Sequence, residues 1–302
     1  MIRVNRLTKS YGEFTAVDAV SFEVAAGETF ALLGPNGSGK STTLKCLAGL
    51  ARPAGGEMTI NGFDVIRQPR ESRRWISYLP QRVSFDENLT AREILQFYGR
   101  LRKMNPCRID QLVASPRFHF NGFSDRLVSE FSGGMIQRLG LAVACLPDTP
   151  VLILDEPTVN LDPEGAIQFR EFLGNLKREG KTILFSSHVL ADVEQLADRV
   201  AILIGGKLIA LETISGLRED LMHTCKMRVV LSNPDPRWAE TARQAGAETS
   251  NWDGDSLLIT ADPGIRFGIL KAMEFAGAQV ARFMTEELSL EDIYLSYVRK
   301  KV

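Results

Sequence analysis

Apolar and polar positions alternate through "IRVNRL" and "AVSFEVAAGE", on either side of a turn at Tyr11-Gly12. That period of two predicts antiparallel strands over the first stretch of the chain. The pattern then changes. "TFALLGPNGSGKSTTLKCLAGL" is a continuous apolar run, a Gly-rich loop and a helix-forming segment, the opening of a parallel α/β unit. "GEMTINGFDV" returns to short strand patterning, and residues 82 to 147 read mostly as helix. Within them "LTAREILQFYGRLRKM" opens with an N-cap at Thr90 and Glu93 three residues on, the spacing of a capping box.

Strands and helices alternate again after this insertion. "PVLILDEP" and "KTILFSSH" are apolar runs ending in polar chemistry, with a helix over residues 163 to 179 between them. Continuous apolar runs fit strands covered on both faces. Beyond residue 220 a new order begins: strand "MRVVL", helix "PRWAETARQAGA", strands "ETSNW" and "SLLITA", helix "FGILKAMEFAGA", strand "QVARFM" and helix "SLEDIYLSYVRK". The expectation is an α/β domain over residues 1–220 followed by a small α+β domain over residues 221–302. A length of 302 residues agrees with two domains rather than one.

Composition narrows the picture by exclusion. Basic and acidic residues number 36 and 37, so no large field of one sign recruits nucleic acid or anionic lipid. The N-terminal "MIRVNRLTKSYGEF" lacks the apolar core of a signal peptide, and no run approaches the roughly 18 apolar residues of a membrane span. A cytoplasmic chain is expected, serving a membrane only from outside the bilayer. Cys46, Cys107, Cys145 and Cys225 are far apart and without C-x-x-C or His partners. They read as buried, reduced thiols.

Candidate chemistry concentrates in a few short stretches. "GPNGSGKS" fits the phosphate-loop pattern G-x-x-x-x-G-K-[ST] in a strand–loop–helix setting. Its glycines let backbone N–H groups wrap phosphates, Lys40 neutralises them, and the Ser41 hydroxyl can ligate Mg²⁺. "VLILDEP" places Asp155 and Glu156 at the carboxyl end of a buried strand, the edge where open α/β sheets bind ligands. Adjacent carboxylates there need a cation to offset repulsion and lost hydration. Asp155 suits the metal and Glu156 the attacking water. His188 ends the next strand and could reach a phosphate or serve structure alone. Gln81 in "YLPQR" is weaker still, and Tyr11 could stack on a base or join the core. "SEFSGGMIQR" joins Ser132, Gly133 and Gly134 to what reads as the first turn of a helix, whose bare N–H groups suit an anion.

Taken together, and in this order, these motifs resemble the ATP-binding (nucleotide-binding) subunit of an ABC transporter, over roughly residues 1 to 215. The resemblance implies a P-loop NTPase cassette with a mainly parallel core sheet, an N-terminal antiparallel sheet and a helical subdomain over about 82–147. It implies that Tyr11 stacks on adenine and that Gly34, Pro35, Asn36, Gly37, Ser38, Gly39, Lys40, Ser41 and Thr42 form the phosphate loop. Gln81 would contact the metal and the attacking water, Asp155 the metal, Glu156 the water as catalytic carboxylate, and His188 would be the switch histidine. Ser132, Gly133 and Gly134 would hold the γ-phosphate of ATP bound to the opposite subunit, and Asp162 would lie in a loop at the dimer contact. Phe131 and Met135 depart from the Leu and Gln usual beside the signature.

ATP and Mg²⁺ are the implied cofactors. The implied partners are a second copy, or a related chain in a heterodimer, and a transmembrane permease at the inner face of the cell membrane. The helical subdomain would receive a coupling helix of that permease, and the basic runs "RQPRESRR" and "RLRKMNPCR" are either a docking rim or solvated helix surface. The overall look is closest to bacterial export-type subunits, and the cargo is not encoded, because in this family the membrane subunit contacts it. A soluble ABC-type ATPase acting on nucleic acid or ribosomes is the alternative, disfavoured by one cassette, no long coiled-coil insertion and balanced charge.

Overall fold

The computed structural model describes residues 1–115, 118, 120, 122–159, 161–217 and 225–286. The chain divides into two compact units, Met1–Glu212 and Thr213–Val302. In the first, β1 (Ile2–Tyr11), β2 (Phe14–Val24), β4 (Gly55–Ile60) and β5 (Phe63–Asp64) form an antiparallel sheet in the order β2-β1-β4-β5. Its alternation buries Ile2, Val4, Leu7, Val20, Phe22 and Val24 on one face.

That face packs on the second sheet, which holds six strands in the order β10-β9-β3-β8-β7-β6. Its members are β3 (Thr29–Leu33), β6 (Ile76–Leu79), β7 (Val151–Leu154), β8 (Thr182–Ser187), β9 (Arg199–Ile204) and β10 (Lys207–Thr213). The pairs β3/β8, β3/β9, β7/β8 and β6/β7 are parallel. Every residue of β3, β7 and β8 is buried, as strands sandwiched between layers require. Parallel strands put their carboxyl ends on one edge, so the residues that follow β3, β7 and β8 meet there.

Helix α1 (Lys40–Leu47) leaves that edge and adds Leu44, Cys46 and Leu47 to the core between the sheets. After the short α2 (Pro69–Arg73) come the helices of the inserted region: α3 (Ala91–Leu101), α4 (Pro106–Ala114) and α5 (Gly133–Cys145). α3 starts with the expected capping box, the Thr90 side chain taking the Glu93 N–H and the Glu93 carboxylate taking the Thr90 N–H. α6 (Pro163–Arg178) links β7 to β8, and α7 (Leu190–Leu196) follows β8.

In the second unit β11 (Cys225–Leu231), α8 (Arg237–Gln244), β12 (Thr249–Asp253), β13 (Ser256–Ala261), α9 (Arg266–Phe275) and β14 (Val280–Glu286) follow one another. Their sheet order is β12-β13-β11-β14, all antiparallel, which is the split β-α-β arrangement. Met227, Val229, Leu257 and Ile259 of the sheet pack against Trp238, Ala242, Ile269 and Met273 of the helices. The helix expected over "SLEDIYLSYVRK" lies outside the described residues. Among the described residues no helix is long and apolar enough to cross a membrane.

One expectation fails. Of the four cysteines only Cys46 is buried; Cys145 and Cys225 are half-buried and Cys107 is exposed. Cys107 sits in the first turn of α4, where the Asn105 side chain takes its N–H, and the turn faces water. Apolar character alone does not bury a residue at the outer end of a surface helix. Burial pushes the Cys46 thiol up to about 11 against the smaller pull of Lys9.

Candidate active site

The loop between β3 and α1 is shaped by glycines at positions no other residue can take. A Cβ on Gly34 would stand 2.2 Å from the Leu203 carbonyl oxygen and 2.6 Å from Ser38 Oγ. Gly39, the N-cap of α1, has φ 98°, and a Cβ there would meet the Ala16 carbonyl oxygen at 2.5 Å. This left-handed step turns the chain directly into the helix, so the first N–H groups of α1 face the loop. Pro35, Asn36 and Gly37 are exposed, Ser38 is buried, and Ser41 and Thr42 are half-buried.

Lys40 folds back under its own loop. Its ammonium donates to the Gly34 carbonyl at 2.8 Å and the Pro35 carbonyl at 3.1 Å, and lies 3.3 Å from Glu156 Oε1. Both members of that ion pair are almost wholly buried, at 3% and 4% exposure. Glu156 Oε2 also accepts from Gln81 Nε2 at 3.2 Å and lies 3.1 Å from His188 Nδ1. Lys40, Gln81 and His188 thus converge on one carboxylate. His188 is 42% exposed, so this ring opens to solvent on its side.

Asp155 next door collects hydroxyls. Ser41 and Ser186 each donate to Oδ1 at 2.8 Å, and the Tyr78 phenol reaches Oδ2 at 3.4 Å. Burial, and after it the Asp155 charge, hold the Tyr78 phenol well above its usual range. The pairing of Ser41 with Asp155 brings a hydroxyl and a carboxylate oxygen together, the hard oxygen donors Mg²⁺ prefers. Glu156 has φ 46°, a left-handed backbone unusual for a residue with a side chain. Its N–H goes to Ser186 Oγ at 2.8 Å. Ser38 Oγ is buried with no hydrogen-bond partner among the described residues. A loop with an orphaned buried hydroxyl, a lysine and a helix N-terminus suits a phosphate chain.

The remaining candidates lie elsewhere. Ser132 caps α5, its Oγ accepting the Met135 N–H at 3.3 Å. Ser132, Gly133, Gly134, Met135, Arg138 and Asp162 line a cavity of about 220 Å³. Asp162 caps α6, accepting the Gly165 N–H at 2.9 Å. No hydrogen bond joins this group to Lys40 or Glu156 among the described residues. Tyr11 is 51% exposed at the end of β1, with the Lys9 ammonium 4.5 Å from its ring centre. Phe131 packs edge-on against Phe123 at 5.4 Å.

Several residues of this region carry no motif. Gln137, buried on α5, donates to the Pro157 carbonyl at 3.1 Å and so ties that helix to the turn after Glu156. Asp192 is 2% exposed and accepts from Thr158 at 2.6 Å and from Arg170 at 2.9 Å, bracing the same turn from α7 and α6. Ser186 and Tyr78 sit inside strand patterns and are marked only by being polar in apolar runs.

The family described as ABC transporter matches residues 17–159. The Nod factor export ATP-binding protein I of Neorhizobium galegae is 39% identical over 236 residues, covering 78% of this chain and 68% of that protein. The daunorubicin/doxorubicin resistance ATP-binding protein of Streptomyces peucetius is 35% identical over 303 residues, covering 98% and 91%. Among solved structures, an ATP-binding subunit of an ABC transporter superposes with a TM-score of 0.66 at 31% identity, over 73% of this chain and 92% of that one. A dimeric ATP-binding cassette in a post-hydrolysis state, bound to ADP and Pi, superposes with a TM-score of 0.62 at 26% identity, over 71% and 99%. The chain belongs to the ABC transporter family, as an ATP-binding subunit with ATPase activity.

Proposed function

We propose that this chain binds two ATP molecules between two copies of itself and uses their hydrolysis to drive a separate transmembrane permease, in the direction of export. The observation that carries the hydrolytic role is the buried Glu156 carboxylate with Lys40, Gln81 and His188 around it, at the edge where the phosphate loop opens. Glu156 polarises the attacking water, and His188 and Lys40 neutralise charge on the γ-phosphate, so catalysis is mainly positioning and electrostatics. The loop from Gly34 to Thr42 holds the phosphates, and Tyr11 stacks on the base. Ser41, Asp155 and Gln81 would hold Mg²⁺, which when bound offsets phosphate charge.

Ser132, Gly133 and Gly134 complete the site of the opposite copy through the N-terminus of α5, with Asp162 at the contact. The cavity these residues line, with a helix N-terminus in its wall, supports that reading. We assign hydrolysis to residues 1–220, reception of the permease to the helical subdomain over 82–147, and an accessory role in regulation or dimer support to residues 221–302. The relatives from Neorhizobium galegae and Streptomyces peucetius, named as an export and a resistance protein, support the export direction. A heterodimer with a related chain would use the same chemistry.

The test is where the chain goes in its own cell. A tagged, gently solubilised chain should be recovered from the cytoplasmic face of the membrane with a polytopic protein. Recovery with ribosomal RNA or DNA, and no membrane protein, would favour an ATPase acting on nucleic acid or ribosomes.

A further inference from the structure

Ser186 and Ser187 close β8 side by side, and they do different things. Ser187 Oγ stays local, donating to the Val189 carbonyl at 3.2 Å and accepting the Val189 N–H at 2.9 Å. Ser186 Oγ reaches across to β7, accepting the Glu156 N–H at 2.8 Å and donating to Asp155 Oδ1 at 2.8 Å. A serine hydroxyl has one proton. Because its oxygen takes an N–H from Glu156, that proton is directed at Asp155, so one side chain grips both carboxylate residues.

The grip matters because of where Glu156 stands. Its backbone is left-handed, φ 46°, a conformation that persists in residues with a Cβ only where the surroundings impose it. β7 ends at Leu154, and the Asp155 N–H is already taken by the Leu79 carbonyl at 2.9 Å. The next N–H, that of Glu156, has left the ladder and finds its acceptor in Ser186 Oγ. Ser186 itself has 0% exposure and follows the apolar run Ile183, Leu184 and Phe185 in its strand. A hydroxyl in such a place carries a desolvation penalty that only its two bonds offset.

We propose that Ser186 is a positioning residue for ATP hydrolysis. It holds Glu156 in the left-handed turn that aims its carboxylate at Lys40, Gln81 and His188, and it fixes the adjoining Asp155. The proposal rests on the roles given above to Glu156 and Asp155.

The test compares the full chain with Ser186→Ala, which removes the hydroxyl, and Ser186→Cys, which refills the space with a somewhat larger γ atom but offers only a weak acceptor. Three quantities are read: amide hydrogen exchange at Glu156 by NMR without nucleotide, equilibrium ATP binding in a chelator, and steady-state kcat and KM. Both substitutions should speed exchange at Glu156 by about tenfold or more, since a buried N–H loses its acceptor, while the amides of β3 keep their protection. ATP affinity in chelator should stay within about twofold, and kcat should fall by about tenfold or more with KM little changed. If Ser186→Ala does not fold, Ser186→Cys carries the same comparison. Unchanged exchange at Glu156, unchanged kcat, or full recovery of kcat in Ser186→Cys would overturn the proposal, the last by showing that volume is what counts. Faster exchange in the Ser186 variants with normal turnover in Glu156→Gln would instead overturn the assignment of Glu156 as base.

Discussion

Replacing Glu156 by Gln separates what this carboxylate does for stability from what it does for chemistry. The side chain is 4% exposed and paired with a lysine that is 3% exposed. Breaking a buried pair by removing one charge costs about 3–5 kcal/mol. Lys40 keeps the Gly34 and Pro35 carbonyls, and the new amide oxygen still accepts one bond, so the lower end, about 3 kcal/mol, applies to the nucleotide-free protein. Oε2 accepts from Gln81 and faces His188, and an amide nitrogen placed there would meet the Gln81 amide donor. Binding should move the other way. Phosphates entering the loop no longer compete with a carboxylate for Lys40 or face its charge, so ATP should bind about tenfold more tightly, roughly 1.4 kcal/mol. Turnover should fall by about 10²–10⁴-fold, the usual contribution of a general base. Urea unfolding with and without Mg-ATP, titration with a fluorescent ATP analogue and steady-state hydrolysis measure the three effects. The variant should be less stable than the parent without nucleotide and recover about 1.4 kcal/mol of that loss at saturating ATP. Normal turnover, or ATP binding weakened in step with hydrolysis, would refute the reasoning.

Three further outcomes follow from the geometry. Gly34→Ala should abolish ATP binding and lower the melting temperature, because its Cβ would stand 2.2 Å from the Leu203 carbonyl oxygen, a backbone atom that cannot give way alone; calorimetry with and without ATP checks both. Asp192→Ala should destabilise by about 3 kcal/mol in urea, since Arg170 loses its buried partner and Thr158 its acceptor beside the Glu156 turn. Alkylation at pH 8 followed by mass spectrometry should label exposed Cys107 first and Cys46 last. The Cys46 thiol is fully buried and, pushed up to about 11, stays protonated there, so its labelling should rise only as the fold opens.

What could be read from the sequence, and what could not, follows from the range of the interactions. The phosphate loop was legible because its chemistry lies in the backbone, and closely spaced glycines with a lysine leave that signature locally. The buried parallel strands were legible because β3, β7 and β8 carry unbroken apolar runs and are buried along their whole length. Thr90 and Glu93 announced the start of α3 because a capping box spans only four residues. Gln81 and His188 had only weak local signals, and what brings them to Glu156 is strand order, with β6 and β8 flanking β7. Ser186, Tyr78, Gln137 and Asp192 were missed for the same reason. Each acts on a partner at least 20 residues away and stands in an ordinary strand or helix pattern. Element order in the second unit was readable, but the strand order β12-β13-β11-β14 was not, since periodicity does not say which edges pair. The cysteines misled because composition speaks of average burial and not of the exposed first turn of α4.

The central claim is that each ATP is shared between two chains, and labelling in mixed dimers tests it most directly. A Lys40→Ala chain contributes only its Ser132 turn, and a Ser132→Arg chain contributes only its phosphate loop. Mixed with a photoreactive ATP analogue, the two should transfer label to the Ser132 turn of the Lys40→Ala chain, and only when the Ser132→Arg chain is present. Label confined to the chain that holds its own phosphate loop, whatever the mixture, would contradict the account.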